Sequence, residues 1–126
     1  MPLLDPSTGV ARTRSIMVVD DEIATCESLR DLFEHEGFTV WTAHNGLDAL
    51  TVLREVPVKP CIVILDLIMP VVDGNSVYRM MKRDPYLADI PVVISTSDPA
   101  RAPDGLPILR KPIAIEVLLK LVRRCC

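Results

Sequence analysis

From Ser15 onward the chain alternates short apolar runs with amphipathic stretches of helical period, and that alternation leaves few folds open to it. The apolar runs are SIMVV at 15–19, FTVWTA at 38–43, CIVIL at 61–65, PVVIS at 91–95 and, less cleanly, LPIL at 106–109. Each reads as a short buried strand. Strands that alternate with helical patterns form βα units, and βα units build a parallel sheet covered on both faces.

The helical patterns carry their own start and stop signals. Ile23, Cys26, Leu29, Leu32 and Phe33 recur at helical spacing until Gly37 supplies a stop. Asn45 can cap a second helix with apolar positions Leu47, Leu50 and Leu53. A third begins near Gly74, with Val77, Met80 and Met81 on one side, and ends at Asp84–Pro85. Ile115, Leu118, Leu119 and Val122 form the stripe of a C-terminal helix. Trp41 and the Met80–Met81 pair read as packing residues, and His35 and His44 as surface positions without a role.

Size and charge narrow the setting. At 126 residues the chain suits one domain, over 15–126, while residues 1–14, with two prolines and a Ser-Thr-Gly cluster, read as a disordered leader. Fourteen Lys+Arg against 17 Asp+Glu give a net charge of −3, which offers no footprint for nucleic acid or an anionic membrane. No apolar stretch approaches the ~20 residues of a membrane span, so a cytoplasmic protein is expected. Cysteines at 26, 61, 125 and 126 make no C-x-x-C pair or Cys/His cluster, which suggests neither zinc nor a disulfide framework. Cys26 and Cys61 are then expected as small reduced core residues, and Cys125–Cys126 as free thiols.

The stretch CIVILDLIMPVVDG, 61–74, places Asp66 directly after a buried run, where an unpaired charge costs several kcal/mol. The other runs also end in polar residues: Asp20–Asp21–Glu22 after the first, Ser95–Thr96–Ser97 after the fourth, Arg110–Lys111–Pro112 after the fifth. In open α/β sheets ligands bind at the carboxyl ends of the strands. A strand order of 2-1-3-4-5 would gather acids, a hydroxyl and an ammonium around one crevice there. Clustered carboxylates repel one another and call for a cation, and oxygen ligands of this kind suit Mg²⁺.

Together, DD at 20–21, ILDLIMPVVDG at 64–74, Thr96 and Lys111–Pro112 make the chain resemble the receiver domain of two-component response regulators, over residues 15 to about 124. The resemblance implies a (βα)5 flavodoxin-like fold. It implies that Asp66 accepts a phosphoryl group from a phosphohistidine on a sensor histidine kinase or phosphotransfer protein. It further implies Mg²⁺ on Asp21, Asp66 and the main-chain carbonyl of Ile68, with Asp20 helping through water. Thr96 would hydrogen-bond a phosphoryl oxygen and Lys111 would neutralise another. Pro70, Asp73 and Gly74 would shape the loop after Asp66, and Lys111–Pro112 would be a cis bond. Such a domain is a signalling module rather than an enzyme with a separate substrate. It would act on a downstream protein not named by the sequence, and a homodimer is compatible with the family.

Two departures bear on that reading. Receivers commonly carry Phe or Tyr three positions before the lysine, where this chain has Ile108, so an aromatic switch coupled to Thr96 is not expected. The segment 97–110 is short and holds Pro99, Pro103 and Pro107, whereas an ordinary helix needs about eleven uninterrupted residues. The fourth crossover is therefore expected to be mostly loop, with about one turn starting at Pro99 and Ser97 or Asp98 as cap. The signalling surface is then expected on the first helix or the 97–107 loop. Ile68 cannot orient an attacking water, which points to slow loss of the phosphoryl group. Two other readings compete: a pseudo-receiver that binds partners without phosphorylation, and a Mg²⁺-dependent phosphatase. The phosphatase class places a second acid two residues after its nucleophile, and Ile68 stands there.

Overall fold

Strand β1 (Ser15–Val19) is buried along its whole length, because it is an interior strand of a five-stranded parallel sheet. The computed structural model describes residues 14–126, so the expected leader at 1–14 lies almost wholly outside the described residues. The remaining strands are β2 (Thr39–Ala43), β3 (Ile62–Asp66), β4 (Val92–Thr96) and the short β5 (Ile108–Arg110). Their order is β2-β1-β3-β4-β5, the order that gathers the polar strand ends around one crevice.

Alternation along each strand sends side chains to two separate cores. Ile16, Val18, Ile62, Ile64 and Val93 face α1 (Ile23–His35) and α4 (Ile115–Cys125), which contribute Cys26, Leu29, Phe33, Leu118 and Val122. Met17, Val19, Val63, Leu65, Val92 and Ile94 face α2 (Gly46–Glu55) and α3 (Gly74–Arg83), with Leu50, Leu53, Val77 and Met81. Fully burying one such side chain is worth roughly 1.5–3 kcal/mol, so these two apolar layers supply most of the force that orients the helices. Trp41 packs against the α2/α3 layer, as its sequence setting suggested.

Helix starts follow local chemistry. The Asn45 side chain accepts from the Asp48 amide at 2.8 Å and caps α2. Asp73 accepts from the Ser76 amide at 2.8 Å and caps α3. Helix α1 has no side-chain cap of its own, and the Glu22 amide just before it donates to Asp20 Oδ1 at 2.9 Å instead. Ile23, Leu47 and Met80, read as members of apolar stripes, are exposed. Ile23 and Leu47 open the first turns of α1 and α2, next to the carboxyl edge of the sheet.

The fourth crossover makes only a 3₁₀ turn at Pro99–Arg101, in keeping with its prolines. Asp98 stands at its N-cap and Pro99 at its first position, as expected, although neither Ser97 nor Asp98 supplies a side-chain capping bond. The Thr96 hydroxyl instead accepts from the Asp98 amide at 3.0 Å.

The cysteines require a correction. Cys61 is not a free core thiol: it is disulfide-bonded to Cys126, 65 residues later, with Cα atoms 5.5 Å apart. A spacing rule cannot find a pair that the fold, rather than the local sequence, brings together. Cys26 is buried as expected, and Cys125 is free and exposed.

Candidate functional site

Register builds the site. Strands β1 and β3 pair from Ile16↔Ile62 to Val19↔Leu65, and one further step along that register sets Asp20 beside Asp66. Asp66 pairs with Ser95 and Thr96 with Arg110, so the residues after β4 and β5 arrive at the same edge. The Lys111 amide donates to the Thr96 carbonyl at 2.9 Å, which carries the lysine over that edge, and the Lys111–Pro112 peptide is cis.

Of the expected site residues, the structure gathers Asp20, Asp21, Asp66 and Lys111 into direct proximity. Oxygen atoms from the three carboxylates lie within 4.8 Å of one another. The Lys111 ammonium sits 3.0 Å from Asp20 Oδ2 and 3.3 Å from Asp66 Oδ1. Asp20 and Asp66 are buried and Asp21 is exposed, so one acid of the cluster is open to solvent. Thr96 is buried at the adjacent strand end, its oxygen accepting from Asp98 as above. Ile68 stands half-exposed in the loop after β3, and its amide points at Asp66 Oδ1 from 3.4 Å.

The electrostatics follow from burial. Withdrawal from water, with the Asp20 charge adding to it, pushes the Asp66 carboxyl up to about 6, against the pull of Lys111. Burial opposes the charge of Lys111, but hydrogen bonds and attraction from Asp20 and Asp66 outweigh it and hold the ammonium above its ordinary value.

The loop that follows fits this strand end closely. A Cβ on Gly74 would meet the Asp66 carbonyl oxygen and lie 2.8 Å from the Leu67 Cα, so only glycine lets α3 begin there. The Gly74 amide donates to the Leu67 carbonyl at 2.9 Å, closing the loop under Asp66. Two neighbours escaped the sequence reading. His44 is not a plain surface residue, because its Nδ1 lies 3.3 Å from the Asp20 carbonyl oxygen. The Cys26 Sγ reaches the same carbonyl at 3.4 Å, and burial, with the nearby Asp20 charge, pushes its thiol up to about 11. Only the strand-end position of Asp20 hinted that its carbonyl would collect such partners.

A groove of about 370 Å³ runs beside this cluster, between α1 and the β5–α4 loop, lined among others by Thr25, Ser28, Lys111 and Ile113. Three clustered acids, two of them paired with one lysine at the carboxyl edge of an open parallel sheet, are the arrangement that the receiver resemblance implies. The family model for the response regulator receiver domain matches residues 16–123, and the chain belongs to that family.

Its relatives are response regulators. Response regulator MprA of Mycobacterium ulcerans is 36% identical over 118 residues, spanning 86% of this chain and 48% of the relative. The chain thus spans about half the length of the MprA relatives it matches. The polar-differentiation response regulator DivK of Brucella anthropi is 34% identical over 84 residues, 67% of each chain. In fold, a response regulator receiver protein from Pseudomonas putida superposes with a TM-score of 0.82 at 24% identity, covering 91% of this chain and 99% of that one.

Proposed function

We propose that the chain is a phosphoacceptor: an Asp66 carboxylate oxygen attacks the phosphorus of a phosphohistidine on a sensor histidine kinase or phosphotransfer protein. The P–O bond forms as the P–N bond breaks, and the leaving imidazole takes up a proton. The observation that carries this reading is the Lys111 ammonium held between Asp20 and Asp66, with Asp21 beside them. There Lys111 opposes the rise that burial and Asp20 impose on the Asp66 carboxyl, and it stations a cation where the transferred group's oxygens would arrive.

Three carboxylates in one cluster, all oxygen donors, fit Mg²⁺, which Asp21, Asp66 and the Ile68 carbonyl would hold with Asp20 assisting through water. Bound there, Mg²⁺ would neutralise charge on the phosphoryl oxygens. The Thr96 oxygen accepts from the Asp98 amide, which leaves its own hydrogen free to be donated to a phosphoryl oxygen. Lys111 would turn from the two acids to the bound phosphoryl group. The groove between α1 and the β5–α4 loop supports a kinase or phosphotransfer contact beside the acceptor. With only a 3₁₀ turn in the fourth crossover, α1 or the 97–107 loop is the better candidate for signalling to a downstream protein.

Calorimetric titration with Mg²⁺ tests the proposal. We expect one site per chain in the wild type and loss of binding in Asp21→Ala. Absence of binding by the wild type would favour the phosphorylation-independent pseudo-receiver, the reading that the reduced fourth crossover and Ile108 leave open.

A further inference from the structure

We infer that Cys61 and Cys126 form a reversible redox staple, a covalent modification site that a low-molecular-weight disulfide oxidises and an excess of small thiol reopens. The site lies at the amino end of β3, immediately before Ile62, and Asp66 ends the same strand. Five residues of extended chain separate them by roughly 16 Å, so this inference does not depend on the phosphoacceptor reading.

Both partners are held by backbone. The Cys61 amide donates to the Ser15 carbonyl at 2.8 Å, which ties it to the start of β1. Cys126 caps the end of α4, its amide donating to the Val122 carbonyl at 2.9 Å. Val122 is fully buried, and Leu119, Leu121 and Cys126 pack partly against the same core, so the last turns of α4 bring Cys126 to Cys61 in the folded chain. Their Cα separation of 5.5 Å falls within the ~4.4–6.8 Å that a disulfide spans without backbone movement.

With Cys26 buried elsewhere in the core, geometry also selects this pair among Cys61, Cys125 and Cys126. Adjacent Cα atoms stand about 3.8 Å apart, below that range, which disfavours a Cys125–Cys126 ring. Cys125 instead faces outward and lines a cavity of about 240 Å³ with Ile62, Tyr78, Lys82 and Asp89, a cavity that neither Cys61 nor Cys126 lines. Cys61 and Cys126 are themselves only half-buried, so both sulfurs are within reach of exchange.

The chemistry balances as two exchanges. The Cys126 thiolate attacks one sulfur of RS–SR, whose S–S bond breaks, and the departing RS⁻ takes the proton that Cys126 lost. The Cys61 thiolate then attacks the Cys126 sulfur and expels the second RS⁻, which takes the proton from Cys61. Two protein thiols are oxidised, and one small disulfide is reduced to two thiols. The staple closes a covalent loop from the start of β3 to the end of α4, so opening of α4 is suppressed in the oxidised form.

The test equilibrates the full chain in defined mixtures of reduced and oxidised glutathione. Acid quenching, alkylation under denaturing conditions and peptide mapping then locate the protected thiols. Protection of Cys61 and Cys126 as one linked pair is expected in the wild type and in Cys125→Ser, with no linked pair in Cys126→Ser. Hydrogen exchange on the wild type should show α4 amides at least tenfold slower when oxidised than when reduced, a comparison that needs no mutant. Linkage through Cys125, glutathione retained as a mixed disulfide, or α4 exchange indifferent to oxidation would each overturn the inference.

Discussion

Val71 carries a φ of 68° with its side chain 97% exposed, so a β-branched residue occupies the left-handed region with no packing to compensate. Val71→Gly should raise unfolding free energy by about 0.5–1 kcal/mol, the relief of strain exceeding the entropy that glycine adds to the unfolded chain. A neutral or destabilising result in urea would show that the loop after Asp66 is held by something other than its local geometry. Asp73 offers a pH test a few residues on. The hydrogen bond from the Ser76 amide holds its carboxyl below the ordinary 3.8, so its contribution is present above about pH 4 and is lost as pH falls through the folded value. Asp73→Ala should cost about 1 kcal/mol at pH 7, a gap that narrows by pH 3; a constant gap would contradict the capping role. The gathering of Asp66, Asp20 and Lys111 was legible because Asp66 ends a strand and the other two each follow one, and those carboxyl ends lie at one edge of the sheet. The roles of His44 and Cys26 were not, since both act on a main-chain carbonyl, which carries no sequence signature.

Among the elements, the junction of β3 and α3 is the least tolerant. A methyl on Gly74 would press on the Leu67 Cα at 2.8 Å and on the Asp66 carbonyl, so α3 or the strand end must move. Gly74→Ala should lose about 2 kcal/mol or more and weaken Mg²⁺ binding through displacement of Asp66, measured by denaturation and calorimetry. Wild-type Mg²⁺ affinity in that variant would mean that the site does not rest on this junction. Prolines made the fourth crossover readable as a loop. Asp98 was legible as its N-cap residue, but the partner of the Asp98 amide was not, because that oxygen belongs to Thr96, the last residue of β4. Ile23 and Leu47 were misplaced for a related reason: helical periodicity marks a face, and burial depends on what the fold sets against each turn.

At the scale of the molecule, two apolar layers on a parallel sheet were implied by the βα alternation, since buried parallel strands need cover on both faces, while the 2-1-3-4-5 order came with the receiver resemblance. The Cys61–Cys126 link was not, because it joins positions 65 residues apart that meet only once α4 has docked. Closing a loop of that length should make the oxidised chain more stable than the reduced one by about 4 kcal/mol in denaturant titrations, and a difference below ~1 kcal/mol would remove its structural importance. The measurement that bears most directly on the whole account is intact-protein mass after incubation with acetyl phosphate, with and without Mg²⁺, for the wild type and Asp66→Asn. The account predicts one added phosphoryl group on the wild type, only when Mg²⁺ is present, and none on Asp66→Asn. An unmodified wild type, or equal labelling of the variant, would contradict it.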